Sequence, residues 1–146
     1  MQLVKFAPEH VSAAAEIEKL CFSDPWSEAS LMMLAEDGYG TGIACVEDGV
    51  LVAYVGMVSV LDEGEIVNVA THPDYRRRGY ARAVINAVLQ LARERGVITL
   101  TLEVRESNMA ARALYESAGF LAVGMRAGFY SHPREDAVIM TRTEVV

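Results

Sequence analysis

Four arginines, Arg76, Arg77, Arg78 and Arg82, fall within seven positions of the chain. Ahead of them lies the strand-like run Ile66-Val67-Asn68-Val69-Ala70-Thr71, then a loop containing Pro73. Among them sits Gly79, and a helical pattern opens at Tyr80. Strand, loop, glycine, helix is an order that suits phosphate chemistry. The first N–H groups of a helix have no partner and lie at the positive end of its dipole, so together they hold anions. Gly79 lets backbone come close to a ligand, and Ala81 is too small to obstruct it. Arginine adds forked donors that match phosphate oxygens. Two other readings of a basic run stand beside this one: a nucleic-acid patch and a solvated cluster with no ligand. The chain has no Gly-x-Gly-x-x-Gly directly after a first strand and no Gly-x-x-x-x-Gly-Lys-Ser/Thr loop, so a phosphate carrier of another kind is implied.

The surrounding charge sharpens the contrast. Thirteen basic and twenty acidic residues give a net charge of −7, and setting the four arginines aside leaves −11. Such a chain repels nucleic acid and anionic membrane and suits a cationic partner, so neither direct nucleic-acid binding nor membrane association is expected. At 146 residues and 52% apolar, one domain over 1–146 with an ordinary core is expected. No run approaches the ~18 apolar residues of a membrane helix, and the first residues lack a secretory pattern. Cys21 and Cys45 show no CxxC spacing and read as buried fillers in a reducing, cytoplasmic setting. His10, His72 and His132 show no ligand spacing, so no metal site is expected.

The elements that must position the basic turn follow from pattern. Ala14, Ile17, Leu20 and Cys21 keep helical spacing over Glu9 to Cys21. Ser23-Asp24-Pro25 breaks the chain, Ser27 caps a second short helix, and Gly38-Tyr39-Gly40 ends it. Gly42 to Glu47 and Val50 to Leu61 read as strands joined by the hairpin dipeptide Asp48-Gly49. A turn at Asp62-Glu63-Gly64 leads into a strand over Glu65 to Ala70. From Tyr80 to Arg95, Ala81, Val84, Ile85, Val88, Leu89 and Ala92 make one apolar face, closed by Gly96. Val97 to Val104 alternates as a strand, with Glu103 on its polar face. Asn108 to Ala118 is a helix capped by Asn108 and Gly119. Phe120 to Met125 and Ala137 to Thr143 close the chain around a loop at Ser131 to Glu135. The order predicts an α/β domain with a mixed sheet.

Arg76-x-x-Gly79-x-Ala81 after a strand resembles the Arg/Gln-x-x-Gly-x-Gly/Ala pyrophosphate loop of the GNAT N-acetyltransferases. The stretches Leu102-Glu103-Val104-Arg105-Glu106-Ser107-Asn108-Met109-Ala110-Ala111 and Ala113-Leu114-Tyr115-Glu116-Ser117-Ala118-Gly119-Phe120 extend the likeness. With Asp24-Pro25-Trp26-Ser27 and Arg134-Glu135-Asp136-Ala137, they resemble the ribosomal-protein-alanine N-acetyltransferases, the RimI type, in the family's order and through nearly the whole chain. The fold this implies is a mixed, mostly antiparallel sheet with a central parallel, splayed strand pair and helices on both faces.

By the same resemblance, the co-substrate is acetyl-CoA. The Arg77, Arg78, Gly79, Tyr80, Ala81 and Arg82 backbone would cradle its pyrophosphate. Val69, Ala70 and Thr71 would bond the pantetheine and polarise the thioester carbonyl, where negative charge grows during attack. Asn108 would touch the cofactor while also serving as a helix cap. Glu103 matches the family's general base; read from the residues alone, the other reading is an exposed strand carboxylate paired with Arg105 or another basic group. Tyr115, two helical turns after Asn108, matches the general acid that protonates the leaving thiolate. Trp26 and Tyr130 are candidates for the wall of an acceptor-peptide site. The implied reaction is acetyl transfer, by direct attack in a ternary complex, to the N-terminal α-amine of a ribosomal protein beginning with alanine. The implied partner is thus a basic protein N-terminus, from the small subunit. Lysine side chains, polyamines or another small amine remain alternative acceptors, and a silent acyl-CoA-binding module is a third reading. An α-amine, with a pKa near 7.7–8.0, is easier to deprotonate than lysine and favours the first. The chain departs from the pattern at Arg76, where Gln is frequent, at Ala81, where Gly is frequent, and at Phe129-Tyr130, where a double tyrosine is commoner.

Overall fold

The computed structural model describes residues 1–36, 38 and 40–144. Seven strands form one sheet: β1 (Gln2–Lys5), β2 (Gly40–Glu47), β3 (Val50–Val60), β4 (Glu63–Thr71), β5 (Thr99–Arg105), β6 (Leu121–Ser131) and β7 (Arg134–Arg142). Their order across the sheet is β1-β2-β3-β4-β5-β7-β6. Every neighbouring pair is antiparallel except β4 and β5. The four helices are α1 (Val11–Cys21), α2 (Glu28–Ala35), α3 (Tyr80–Glu94) and α4 (Met109–Ser117). The mixed sheet with one parallel pair expected from the sequence is what the chain forms.

Two apolar layers hold the helices on opposite faces. Val84, Ile85, Val88, Leu89 and Ala92 of α3 and Tyr115 of α4 pack with Leu100, Leu102, Val104 and Phe120. Ala14 and Ile17 of α1 and Leu31 and Leu34 of α2 pack with Phe6 and Tyr54 on the other side. β5 serves both layers by period-two alternation: Leu100, Leu102 and Val104 are buried toward α3, which turns Thr101 and Glu103 to the face of α1 and α2.

Local chemistry sets the boundaries. Asp48 and Gly49 both have positive φ, 50° and 77°, as the tight hairpin between β2 and β3 requires. Ser27 accepts a hydrogen bond from the Ser30 N–H at 3.1 Å and starts α2; Asn108 accepts one from the Ala111 N–H at 3.1 Å and starts α4. Gly96 and Gly119 follow α3 and α4 with φ of 75° and 93°. Tyr39, within the stretch expected to end α2, lies outside the described residues.

Four boundaries differ from the sequence expectation. β1 was not predicted; its four residues are all exposed and carry no alternation, yet they pair with β2 from Gln2↔Val46 to Lys5↔Ile43. The turn before β4 is tighter, with Leu61 at φ 57° and the strand already begun at Glu63. The first helical residues, Pro8–His10, form a 3-10 turn ahead of α1. The loop expected at Ser131 to Glu135 is instead a two-residue turn, because β6 runs on to Ser131. The extra length of β6 is absorbed by a bulge: its register passes from Arg126↔Ala137 directly to Tyr130↔Glu135. Asp136 steadies that bulge by accepting the Gly128 N–H at 2.8 Å, and Gly128 takes φ 60°.

The β6–β7 turn is tied to the end of β5. Arg105 pairs with Glu135 at 3.1 Å and donates to the Pro133 carbonyl at 2.9 Å. Glu135 also accepts the Ser107 N–H at 2.6 Å. Those bonds from Ser107, with Arg105 beside them, hold the Glu135 carboxyl below the ordinary carboxylate range. A lowered carboxyl pKa stabilises the fold above its unfolded value, near 4.3, and that contribution is lost as pH falls through the folded value. Amide exchange at Ser107 is therefore expected to stay protected at pH 6 and to lose protection relative to its neighbours as pH drops below about 4; equal protection at both would contradict the tie. Gly42 tests the packing of the sheet itself. A Cβ there would lie 2.6 Å from the Val55 carbonyl oxygen and 3.1 Å from Phe6 Cβ. Gly42→Ala is expected to cost about 1–3 kcal/mol, read as a lower denaturant midpoint at unchanged slope.

Candidate active site

The parallel pairing of β4 and β5 lasts three rungs, Glu63↔Thr99, Gly64↔Leu100 and Glu65↔Thr101, and stops. β4 continues along β3 to Thr71, while β5 continues along β7 to Arg105. The strands have parted, and one edge of each faces the gap. Alternate residues of a strand aim their amides at opposite edges. The His72 N–H donates to the Val52 carbonyl at 2.8 Å, which turns residues 72 and 70 toward β3. Val69 and Thr71 therefore present their backbone groups to the gap, while the Ala70 amide is turned to β3.

At the head of the gap lies the basic turn. His72 and Pro73–Tyr75 form a 3-10 turn whose N–H at Asp74 is capped by His72 Nδ1 at 3.1 Å. Arg77 and Gly79 take left-handed φ of 63° and 83°, a backbone form found in anion-binding nests, and α3 begins at Tyr80. Unlike α2 and α4, α3 has no side-chain cap, because its N-cap residue is Gly79. The Ala83 N–H closes the first helical bond to Gly79, leaving the N–H groups of Tyr80, Ala81 and Arg82 without helical partners. The arginines differ in use. Arg77, Arg78 and Arg82 are exposed, with Arg78 over the Tyr75 ring at 5.2 Å and Arg82 bonded to Ser117 of α4 at 2.9 Å. Arg76 reaches Cys21 Sγ at 3.6 Å. Tyr80 contributes backbone alone, since its ring is buried and its hydroxyl donates to Glu47 at 2.9 Å.

Glu103 stands on β5 just beyond the last parallel rung. It pairs with Arg126 of β6 at 3.3 Å rather than with Arg105, whose partner is Glu135. Its side chain is 14% exposed. Glu65, on β4 in the last rung, brings its carboxyl within hydrogen-bond reach of Glu103. Although its outer part is exposed, burial and the Glu103 charge push the Glu65 carboxyl up, against the pull of Arg126. Two carboxylates and one guanidinium thus converge beside the gap.

Tyr115, on α4, is 8% exposed, and burial with a nearby Tyr130 pushes its hydroxyl up to about 12. A phenol so placed keeps its proton through the neutral range. Tyr130 is half-buried under the Arg105 guanidinium at 4.3 Å; burial and the Glu103 charge raise it in turn. Tyr130 therefore feels both Glu103 and Tyr115, and the bulge in β6 is what turns it there. Asn108 is exposed and caps the N-terminus of α4, about two turns from Tyr115.

Trp26 lies between α1 and α2, its N–H donating to Glu18 at 2.9 Å. The same loop meets the β6–β7 turn: Ser23 Oγ donates to the His132 carbonyl, and Asp24 lies 3.1 Å from His132 Nδ1. The Trp26 loop and the Tyr130 hairpin thus flank one side of the site and touch at their tips. Cys21 is not the buried filler expected. It is partly exposed, donates to the Thr71 carbonyl at 3.3 Å, and keeps its thiol raised chiefly by burial. Cys45 is fully buried, as expected.

Four residues here were not singled out from sequence: Glu18, Glu65, Arg126 and Asn68, whose side-chain amide donates to Glu18 at 2.8 Å. Glu18 lies among the charges Glu16 and Lys19 of an amphipathic helix, and Glu65 reads as the first residue of a strand after a turn. Only the burial of Glu18 and the parting of the strands distinguish them.

The GNAT acetyltransferase family model matches residues 11–120. The chain is 40% identical to the ribosomal protein bS18-alanine N-acetyltransferase of Escherichia coli K12, over 88% of this chain and 87% of that protein. It is 36% identical to the protein of the same name from Haemophilus influenzae, over 86% of each. The crystal structure of the ribosomal-protein-S18-alanine N-acetyltransferase from Escherichia coli superposes with a TM-score of 0.89 at 35% identity, covering 98% of this chain and 93% of that one. With the matched residues running from α1 through the basic turn to the end of α4, the chain belongs to the GNAT acetyltransferase family.

Proposed function

We propose that this enzyme transfers the acetyl group of acetyl-CoA to the N-terminal α-amine of a ribosomal protein beginning with alanine, by direct attack in a ternary complex. The observation that carries the reading is the meeting, in one gap, of an uncapped helix start, unpaired strand edges and the Glu103 carboxylate. Relatives 36–40% identical over most of their length bear the name of that reaction.

Acetyl-CoA supplies the activated acetyl group. The residues present suit it: the N–H groups of Tyr80, Ala81 and Arg82, with the charge of Arg77 and Arg78, suit a pyrophosphate. The edge amides of Val69 and Thr71 suit a pantetheine arm and the carbonyl on which charge develops. Asn108, at the start of α4, stands where it can add a polar contact. Glu103 takes the proton that the α-ammonium must lose before its nitrogen can attack. Tyr115, protonated and buried, gives a proton to the departing sulfur. Trp26 and Tyr130 wall the acceptor. The charge of −11 outside the basic turn draws a basic protein toward the site, as opposite potentials speed encounter. A reaction on newly made ribosomal proteins belongs in the cytoplasm, where those proteins are made.

Purified protein incubated with acetyl-CoA and a peptide beginning with alanine should release free CoA, and blocking the peptide's α-amine should abolish release. Persistence with the blocked peptide, or activity only on lysine side chains or polyamines, would sink the N-terminal assignment. Glu103→Gln and Tyr115→Phe should each lower kcat/KM on the order of 100-fold or more, with acetyl-CoA binding retained. Unchanged turnover in either variant would remove that residue from the mechanism.

A further inference from the structure

Glu65 has no part in the steps above, yet it stands against the base. It occupies the last parallel rung, opposite Thr101. Residues paired across two strands point to the same face, and so do alternate residues of one strand. Glu65, Thr101 and Glu103 therefore share the face of α1 and α2. Arg126 reaches that face from β6, since it pairs with Ala137, two places from the Ile139 that pairs with Glu103. The Glu65 carboxyl comes within hydrogen-bond reach of Glu103, and Arg126 pairs with Glu103 at 3.3 Å. The two carboxyls differ in access: the Glu103 side chain is largely enclosed, whereas Glu65 is exposed.

Ionised carboxylates only accept hydrogen bonds, so two of them can bond only when one carries a proton. Two such charges side by side favour taking up a proton between them. Arg126 is one cation against two carboxylates and leaves the pair with a net negative charge. The other charges nearby are spoken for. Arg105, on the same face of β5, is held by Glu135. Tyr130 of β6 feels Glu103, and burial with that charge keeps its phenol neutral. Glu18 of α1 is enclosed by Tyr54, Asn68 and the Trp26 N–H, and Glu63 is exposed at the first parallel rung. Val58 of β3 and Ile139 of β7, paired with Glu65 and Glu103, carry no charge.

We propose that Glu65 is a positioning residue that acts through Glu103: the proton that Glu103 takes from the acceptor amine is held between the two carboxyls. This rests on the reading of Glu103 as the base and deepens it. Before transfer both carboxyls are ionised. An N–H bond of the ammonium then breaks, an O–H bond forms on Glu103, and that O–H donates to the Glu65 carboxylate. The carboxyl–carboxyl bond exists only once the proton has moved, so it strengthens the base during the transfer itself. The proton then passes to water by way of the exposed Glu65. Arg126 works in the opposite direction and keeps the pair free of a proton until the amine arrives.

The pH profile of kcat/KM on the alanine peptide tests this, because a proton already on the pair blocks the base and activity falls as pH drops. Glu65→Gln removes one of the two negative charges and leaves Glu103 with Arg126. Its acid limb should move to lower pH by about one unit. Its plateau should fall about three- to tenfold, as a weaker base takes the proton less readily. Arg126→Met should move the limb to higher pH, and Glu65→Asp, which keeps the charge, should stay nearer the wild-type profile. The KM for acetyl-CoA should not change in either Glu65 variant. Carboxyl carbon shifts give a second reading that needs no acceptor: Glu65 and Glu103 should each sense the other's titration in two steps, and Glu103 should show one step in Glu65→Gln. An unmoved acid limb in Glu65→Gln, even with a raised peptide KM, or two independent single-step titrations would overturn the pairing alone. Full activity in Glu103→Gln would overturn the reading of the base and this inference with it.

Discussion

The structure depends on a pairing that stops. β4 and β5 are the one parallel pair in the sheet, and they share three rungs before each follows a different antiparallel partner. Backbone donors and acceptors in a sheet are normally consumed by the neighbouring strand. Here they are left along two edges that face each other, just where an uncapped helix start lies close by. The chain can afford this because β3 and β7 hold the parted strands in register from outside. Apolar layers on both faces keep the halves from closing: α3 seals one side through Val84, Val88 and Leu89, and α1 and α2 seal the other through Ile17, Leu31 and Leu34.

Polar ties then aim the pieces around the gap. Arg105 and Glu135 pin the β6–β7 turn to the end of β5, and the bulge held by Asp136 turns Tyr130 toward Glu103 and Tyr115. Glu18 joins three separate segments, β3, β4 and the α1–α2 loop, through one buried carboxylate. A buried ion stripped of its partners is strongly destabilising, so a network of this kind fixes one arrangement rather than adding much stability. Tyr115 and Glu103, the proposed acid and base, differ in the same spirit. Tyr115 is kept protonated by burial, while Glu103 sits between a second carboxyl and the Arg126 guanidinium.

Much of this was legible in the sequence where the signal is local. The face of α3 shows in the spacing of Val84, Ile85, Val88 and Leu89, the caps Ser27, Asn108, Gly96 and Gly119 mark helix ends, and Asp48-Gly49 marks a hairpin. The basic turn declared itself by residue type alone. What was not legible depends on partners far along the chain. Glu18 looks like any surface charge until Tyr54 and Asn68, 36 and 50 residues away, close over it. Glu103 has an arginine two places on and on the same face, yet it pairs with Arg126, while Arg105 is held by Glu135 at the strand end. Edge strands hide for a related reason: β1, and β6 beyond the expected Phe120 to Met125, are mostly exposed and show no period-two pattern.

The proposed reaction puts acetyl-CoA in the gap between β4 and β5, with its phosphates on the start of α3. Backbone amide shifts recorded during titration with acetyl-CoA test this most directly. The largest changes are expected on Val69, Thr71, Tyr80, Ala81 and Arg82, with the outer strands β1 and β2 unmoved. Changes concentrated elsewhere, with these five amides silent at saturation, would contradict it.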